Sequence, residues 1–328
     1  MPNIAPSSAA AHADAHAGVP DAAQAAVRAR VPARRPRRVN FWLHVAMLPL
    51  ALTALLAYLA STLWTVALSF TGSRMFPSSR FVGTAQYERL FASERWSIAV
   101  DNLLFFAVFS IVLCTLLGFL LAVFIDQKIR AESLFRSIFL YPFALSMVVT
   151  GLVWQWVLNP EMGLQAAVRD WGWQSFTLDW IVSEDKVMYC VVLAGVWHGS
   201  GFMMALLLAG LRGVDEEVWK AARLDGIPVW RTYVSIVLPM LSGTVATALT
   251  LQLIGSIKVY DVVVAMTRGG PGLASEVPAR FIMENIGARS NLGQAAAAST
   301  VLLLTVLVLL VPYHYVRKHQ ATKAGRAT

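Results

Sequence analysis

Apolar residues in this chain do not alternate with polar ones. They come in six long runs, near 43–70, 99–125, 134–158, 187–211, 241–266 and 295–316. A helix needs about 20 residues to cross about 30 Å of hydrocarbon, so each run is long enough to span a bilayer. Hydrocarbon offers no partners for backbone polar groups, so such a segment has to satisfy them internally as a helix. The pattern predicts an all-α, polytopic membrane protein with six transmembrane helices. Between the fourth and fifth runs, residues 215–241 read DEEVWKAARLDGIPVWRTYVSIVLPML. An ionised side chain at mid-membrane costs about 2.5–3.5 kcal/mol on insertion scales, which places this stretch outside the bilayer. At helical spacing Val218, Ala221, Ala222, Leu224 and Ile227 form an apolar face, while Glu216, Glu217, Lys220, Arg223 and Asp225 are polar. Gly226 and Pro228 then stop or bend the helix. The expectation is a short amphipathic helix with a hinge.

Composition sharpens the class. The chain is 57% hydrophobic and 14% charged, with a mean hydropathy of +0.59; soluble domains carry about 25% charged residues. Cys114 and Cys190 both sit inside apolar runs, which supports neither a disulfide framework nor a thiolate metal site. The net charge of +8 is spread over short loops beside apolar spans rather than gathered on one domain, which argues against a nucleic-acid partner. Topology accounts for it. Arg28 to Arg38, Lys128, Arg130, Arg136, Arg212, Lys220, Arg223, Arg231, Arg317, Lys318, Lys323 and Arg326 fall on one side of the six runs. Because Lys and Arg are retained on the cytoplasmic side, both termini and the 215–241 loop are expected there, in an inner membrane.

Residues 1–38, rich in Ala, Pro, His and Arg, cannot bury enough surface to fold alone and read as a disordered cytoplasmic tail. The membrane domain is expected over 39–318, with a connecting loop at 213–240 and a cytoplasmic tail at 319–328. Aromatic residues Phe81, Tyr87, Phe91, Trp96, Trp154, Trp156, Trp171, Trp173 and Trp180 cluster at the outer edges. There they are expected to anchor the chain at the level of the lipid headgroups.

Candidate chemistry is sparse. No Lys is followed by Ser or Thr, so the Gly-Lys-Ser/Thr of a phosphate-cradling loop is absent. Energy for pumping would come from another subunit or from an ion gradient. In the fourth run Trp197, His198 and Phe202 fall near mid-membrane around GVWHGSGF, and in the fifth Gln252, Ser256 and Tyr260 recur every four residues. A polar stripe with aromatic faces suits a sugar, although the same side chains could serve only to hold the bundle by interhelical hydrogen bonds, worth about 0.6 kcal/mol each. His198 has no second ligand at metal spacing, so no metal is expected.

KAARLDG followed by IVLP closely resembles the cytoplasmic Glu-Ala-Ala loop of permease subunits in binding-protein-dependent ABC importers. Ala221, Ala222, Asp225, Gly226, Ile236, Leu238 and Pro239 match in identity and spacing, while Lys220 stands where that family usually has Glu. FVGTAQYERLF, with Tyr87, Leu90 and Phe91 in register, resembles a stretch common in sugar permeases. Thr267, Gly269, Gly270, Pro271 and Gly272 resemble the Thr-x-Gly-Gly-Pro core of carbohydrate permeases of the maltose and glycerol-phosphate type. WKAARLDGIP, VYDVVVAMT and SEVPARF are similar to glucose or mannose permeases.

The resemblance implies a membrane-spanning permease that is not itself an enzyme and binds no cofactor, with ATP and Mg held by two separate ATPase subunits. A second homologous permease and a periplasmic sugar-binding protein complete the partners, with membrane lipid around them. Lys220, Ala221, Ala222, Leu224, Asp225, Gly226, Pro228, Leu238 and Pro239 would form the coupling element, docking by apolar packing of Val218, Ala221, Ala222 and Leu224. Two other readings stay open on residues alone, an ion-coupled secondary carrier and a membrane assembly protein without a transport path.

Overall fold

The computed structural model describes residues 41–127 and 129–324. The tail expected over 1–38 lies outside them. The chain divides into two units, 1–60 and 61–328. In the first, helix α1 (Phe41–Ala54) leads into a π-helical turn, Leu55–Ala60.

The second unit contains α2 (Ser61–Ser69), α3 (Ala85–Phe91), α4 (Glu94–Asp126), α5 (Glu132–Ala144), α6 (Met147–Val157) and α7 (Leu164–Asp170). It continues with α8 (Val187–Leu211), α9 (Glu216–Leu224), the partly π-helical α10 (Val229–Met240) and α11 (Ser242–Ile257). The last elements are α12 (Asp261–Met266), α13 (Pro278–Ile286) and α14 (Leu292–Ala324). The described residues hold no β-strand, only an isolated bridge between Thr71 and Phe81. α14 continues as helix to Ala324, past the boundary expected at 318.

Among the described residues three stretches are long and apolar enough to cross a membrane, Met47–Ser69, Glu94–Asp126 and Val187–Leu211. Two bent pairs pass the same test, α5 with α6 and α10 with α11, and Leu292–Val308 is a shorter apolar helix.

The pairing of α4 with α8 organises the second unit. Buried positions of α4 run Leu103, Phe106, Ser110, Cys114, Gly118, Ala122 and Ile125, mostly one per turn. Small residues on both helices bring the backbones together: a Cβ placed on Gly195 would lie 3.0 Å from the Phe106 ring, and one on Gly199 3.2 Å from Cys114 Sγ. In membranes, where apolar surface alone drives no helix association, such small-residue contact gives van der Waals packing its reach.

The third apolar run, expected as one span over 134–158, is two helices bent by 97°. Pro142 lies within the last turn of α5, and Ser146 caps α6 by accepting from Val149 N at 3.2 Å. The fifth run is likewise interrupted: α11 ends at Ile257, α12 begins at Asp261, and α10 meets α11 at 77°. The outer aromatics divide. Phe81, Phe91, Trp156, Trp171 and Trp173 are exposed, as headgroup anchoring requires, but Trp96 is buried against Phe281 (ring centroids 5.3 Å) and Trp154 packs inward on Trp197 (5.9 Å).

Candidate functional site

The loop between α8 and α10 is built from local signals. Asp215 Oδ1 accepts from Glu217 N at 3.0 Å and so caps α9; a side-chain acceptor there satisfies one of the orphan first-turn donors. Glu216 and Glu217 in the first turn and Arg223 in the last complement the helix dipole. At the far end Ile227 N donates to Ala222 O (3.0 Å) and Gly226 N to Arg223 O (3.2 Å), the paired bonds of a Schellman turn. Such a turn needs a left-handed residue, and Gly226 supplies it at φ +68°. Pro228 follows, where no helical donor is needed.

α9 has two faces. Inward, Ala222 is buried and Trp219 meets Tyr233 edge-on at 4.9 Å. Tyr233 Oη donates to Asp126 Oδ2 at 2.6 Å and accepts from Gln127 Nε2 at 3.0 Å, so α9 is linked through one aromatic contact to the end of α4. Outward, Leu224 is 88% exposed, and Lys220 and Ala221 are also exposed. Lys220 has only Glu216, one turn away at 3.6 Å and in solvent, a pair of little energetic weight.

The expected apolar docking face is therefore not one surface, because Ala222 turns inward and Ala221 and Leu224 outward. Nine residues cannot carry both sets on a single stripe once Trp219 takes the inner one. Of the remaining loop residues, Asp225 and Pro239 are exposed and Leu238 is half-buried. A cavity of about 470 Å³ lies between α9, α10 and the end of α4, lined among others by Asp126, Arg212, Lys220, Arg223 and Tyr233. Trp219 and Tyr233 did not stand out in the sequence; their spacing reads as ordinary amphipathic packing.

The substrate-path candidates fall into two groups. His198 is buried, with Nδ1 3.3 Å from Thr150 Oγ1 on α6, and its imidazole lies beside the Pro142 carbonyl of α5. Phe202 stacks on Phe143 at 4.6 Å, and Phe143 is 5.5 Å from His198. Trp197 meets Trp154, whose indole N–H is buried without a partner. These three residues of α8 thus converge on the break between α5 and α6. Gly201, between them, is where α8 crosses α5: a Cβ there would run into the Phe139 carbonyl.

The second group faces elsewhere. Gln252 Nε2 donates to Ser110 Oγ at 3.3 Å and lies against Gly199, while Ser256 Oγ donates to the Gln252 carbonyl of its own helix. Both are occupied in packing. Tyr260 lies beyond the end of α11 and does not continue their four-residue stripe.

A broken helix at membrane depth is tolerated only where it is buried in protein or lines a cavity. In many transporters the solute site is built on such breaks. Phe143 and Thr150 were missed because each sits in an unbroken apolar run, and Trp154 was expected at the lipid headgroups instead. The nearby signals that could have found them are Pro142 and the capping Ser146.

A polar cluster gathers where the first turns of α4 meet α13 and the segment before it. Glu276, with no exposed side-chain surface, accepts from Arg95 Nη2 at 2.9 Å and from Arg280 Nη1. Glu284 pairs with Arg95, with Arg280 at 3.3 Å and with Arg289 at 3.3 Å. The hydrogen bond from Arg95 holds the Glu284 carboxyl down at about 2. Asn102 Nδ2 donates to the carbonyls of Ala274 and Glu276 at 3.0 and 2.9 Å. The Thr-x-Gly-Gly-Pro segment is thereby clamped to α4. No cluster of three or more His, Cys, Asp or Glu that could hold a metal occurs among the described residues.

This arrangement has relatives. A probable ABC transporter permease protein of Pyrococcus horikoshii is 36% identical over 269 residues, 81% of this chain and 91% of that protein. A xylose/arabinose import permease of Haloferax volcanii is 28% identical, covering 83% of this chain and 86% of its own length. A solved bacterial alginate ABC transporter, in complex with a periplasmic protein carrying an alginate pentasaccharide, superposes with a TM-score of 0.72 over 84% of this chain and 93% of that one. At 19% identity it shows the fold. The binding-protein-dependent transport system inner membrane component family matches residues 115–321. This chain therefore belongs to that family, the membrane permease component of ABC importers and not itself an enzyme.

Proposed function

We propose that this chain is one of two permease subunits of a sugar importer, that α9 is its coupling helix, and that solute passes the break between α5 and α6. On this reading the three long apolar stretches, the two bent pairs and the helix beginning at Leu292 would make six crossings. The balance of Lys and Arg supports a cytoplasmic side for α9 and both termini. Two ATPase subunits, holding ATP and Mg, would each receive one coupling helix, and a soluble receptor would deliver the solute from outside.

The observation that carries this reading is the exposed Leu224 on a capped helix whose inner face is tied through Trp219 and Tyr233 to α4. Pulled by an ATPase subunit, α9 would move α4, and α4 is packed on α8, the helix that presents His198 and Phe202. Rigid-body rocking of spans is the expected form of alternating access. Aromatic faces at Phe143, Trp154, Trp197 and Phe202 suit the C–H faces of a pyranose, and His198 and the Trp154 N–H suit its hydroxyls.

The resemblance of WKAARLDGIP and SEVPARF to glucose and mannose permeases, and a relative that imports xylose/arabinose, favour a monosaccharide such as glucose or mannose. The test is uptake of labelled sugars into proteoliposomes holding the complete transporter and loaded receptor. Uptake should require internal ATP and stop when the ATPase subunits are catalytically dead. Uptake by this chain alone, driven by an ion gradient, would contradict the proposal.

A further inference from the structure

The loop between α2 and α3 is closed at its base and apolar at its tip. Val82 N donates to Phe70 O at 2.9 Å and Gly72 N to Arg80 O at 2.8 Å, so the two arms run side by side from the end of α2. Ser73, wholly buried, closes a tighter turn within it, its Oγ accepting from Ser78 N at 3.0 Å. At the tip Met75 and Phe76 are 69% and 74% exposed. Arg74 and Arg80 flank them, both exposed and neither in an ion pair among the described residues.

Two apolar helices fix the level of this loop. Phe70 follows directly on the apolar stretch Met47–Ser69, and its ring stacks on that of Phe81, centroids 6.4 Å apart. Leu292 N and Gly293 N, orphan donors in the first turn of α14, donate to the carbonyls of Arg74 (3.2 Å) and Ser73 (2.8 Å). The tip thus stands two or three residues from the end of one apolar helix and the beginning of another, a reach of about 10 Å at full extension. The headgroup zone beyond the hydrocarbon is about 5–7 Å deep on each side.

We propose that the loop over residues 71–82 seats on the phospholipid surface, Met75 and Phe76 reaching the acyl boundary and Arg74 and Arg80 taking headgroup phosphates. The inference needs only that α2 and α14 lie in a membrane; it depends neither on sugar import nor on which side the loop faces. Apolar side chains between cations suit an interface, because the rings and thioether enter the acyl region while the guanidinium groups stay at the headgroups. Net charge does not decide the occupant. The elements packed on the loop, α3 and the turn before α14, add Arg89 and Arg289 against Glu88; Glu284 pairs with Arg289, and Glu94 opens α4. Within the loop itself there are two cations and no carboxylate. A protein partner is the poorer occupant, since at this level lipid already surrounds the two helices and a second chain would first have to displace it.

The test attaches a spin label to Phe76→Cys and, separately, to Met75→Cys, the native Cys114 and Cys190 being buried. The full chain, purified with the subunits that accompany it, is held in phosphatidylglycerol nanodiscs. Power saturation compares collisions with oxygen, which concentrates in lipid, and with a nickel chelate, which stays in water. Oxygen collisions should exceed nickel collisions at both positions, with Glu217→Cys in the polar first turn of α9 marking the water-exposed limit. Arg74→Gln together with Arg80→Gln should lower the ratio of inserted to free loop about fivefold for each charge removed, and the effect should shrink at high salt.

Nickel collisions exceeding oxygen collisions at both Phe76→Cys and Met75→Cys would overturn the proposal. So would shielding from both reagents, the mark of a protein contact, whether with a second copy of this chain, another permease or a soluble receptor. An inserted loop whose ratio the two arginine substitutions leave unchanged would overturn the phosphate contact.

Discussion

Replacing Glu276 by glutamine deletes one charge and almost no volume from a side chain with no exposed surface. Both carboxylate oxygens are used, one by Arg95 and one by Arg280. Glutamine keeps one acceptor and turns an amide donor toward the other guanidinium. Breaking a buried ion pair from one side costs about 3–5 kcal/mol, because the remaining charge stays in a poorly solvated place. Arg95 retains Glu284, and the Arg280 side chain is 23% exposed and can reach water, so the lower end applies, about 3 kcal/mol. The assay is SDS unfolding of the detergent-purified transporter followed by circular dichroism, with Arg95→Gln and the double variant completing a cycle. The two single losses should not add, since each removes the same contact. A loss under about 1 kcal/mol, the net worth of an ordinary hydrogen bond, or fully additive losses, would refute the clamp.

Two further outcomes follow from the same contacts. Because Arg95 depresses the Glu284 carboxyl to about 2, against an ordinary value of about 4.3, the stability it contributes is present above the ordinary value. It is lost as pH falls from there toward 2; thermal denaturation from pH 7 down to 3 should show Glu284→Gln losing less on acidification than wild type. Gly201→Val, whose Cβ would meet the Phe139 carbonyl, should overpack the α5–α8 crossing by about 3 kcal/mol and lower the yield of folded transporter. Gly255→Ala, with open space around it, should not; equal yields of the two variants would contradict the observed crossing.

What the sequence revealed and what it concealed follow from where the determinants lie. α9 was legible nearly to the residue because its cap, charges, Gly226 and Pro228 are all local and stand out against hydrocarbon-like flanks. The inward turn of Ala222 was not, since it depends on Trp219 finding Tyr233 fourteen positions on. The break between α5 and α6 lay inside a run whose hydropathy is continuous, and only Pro142 and Ser146 hinted at it. The clamp joins Arg95 to a carboxylate 181 positions away, a distance at which residue spacing carries no information. Gln252 and Ser256 show the converse: a stripe with clear periodicity whose polar atoms serve packing against α4 and its own backbone.

The central claim is that the exposed face of α9 seats on an ATPase subunit. Leu224→Cys, with a thiol crosslinker applied to native membranes, tests it directly, the native Cys114 and Cys190 being buried. The account predicts an adduct between this chain and an ATPase subunit from Leu224→Cys, and none from the inward-facing Ala222→Cys. Labelling of Leu224→Cys by a membrane-impermeant reagent added from outside, or the absence of any ATPase adduct, would contradict it.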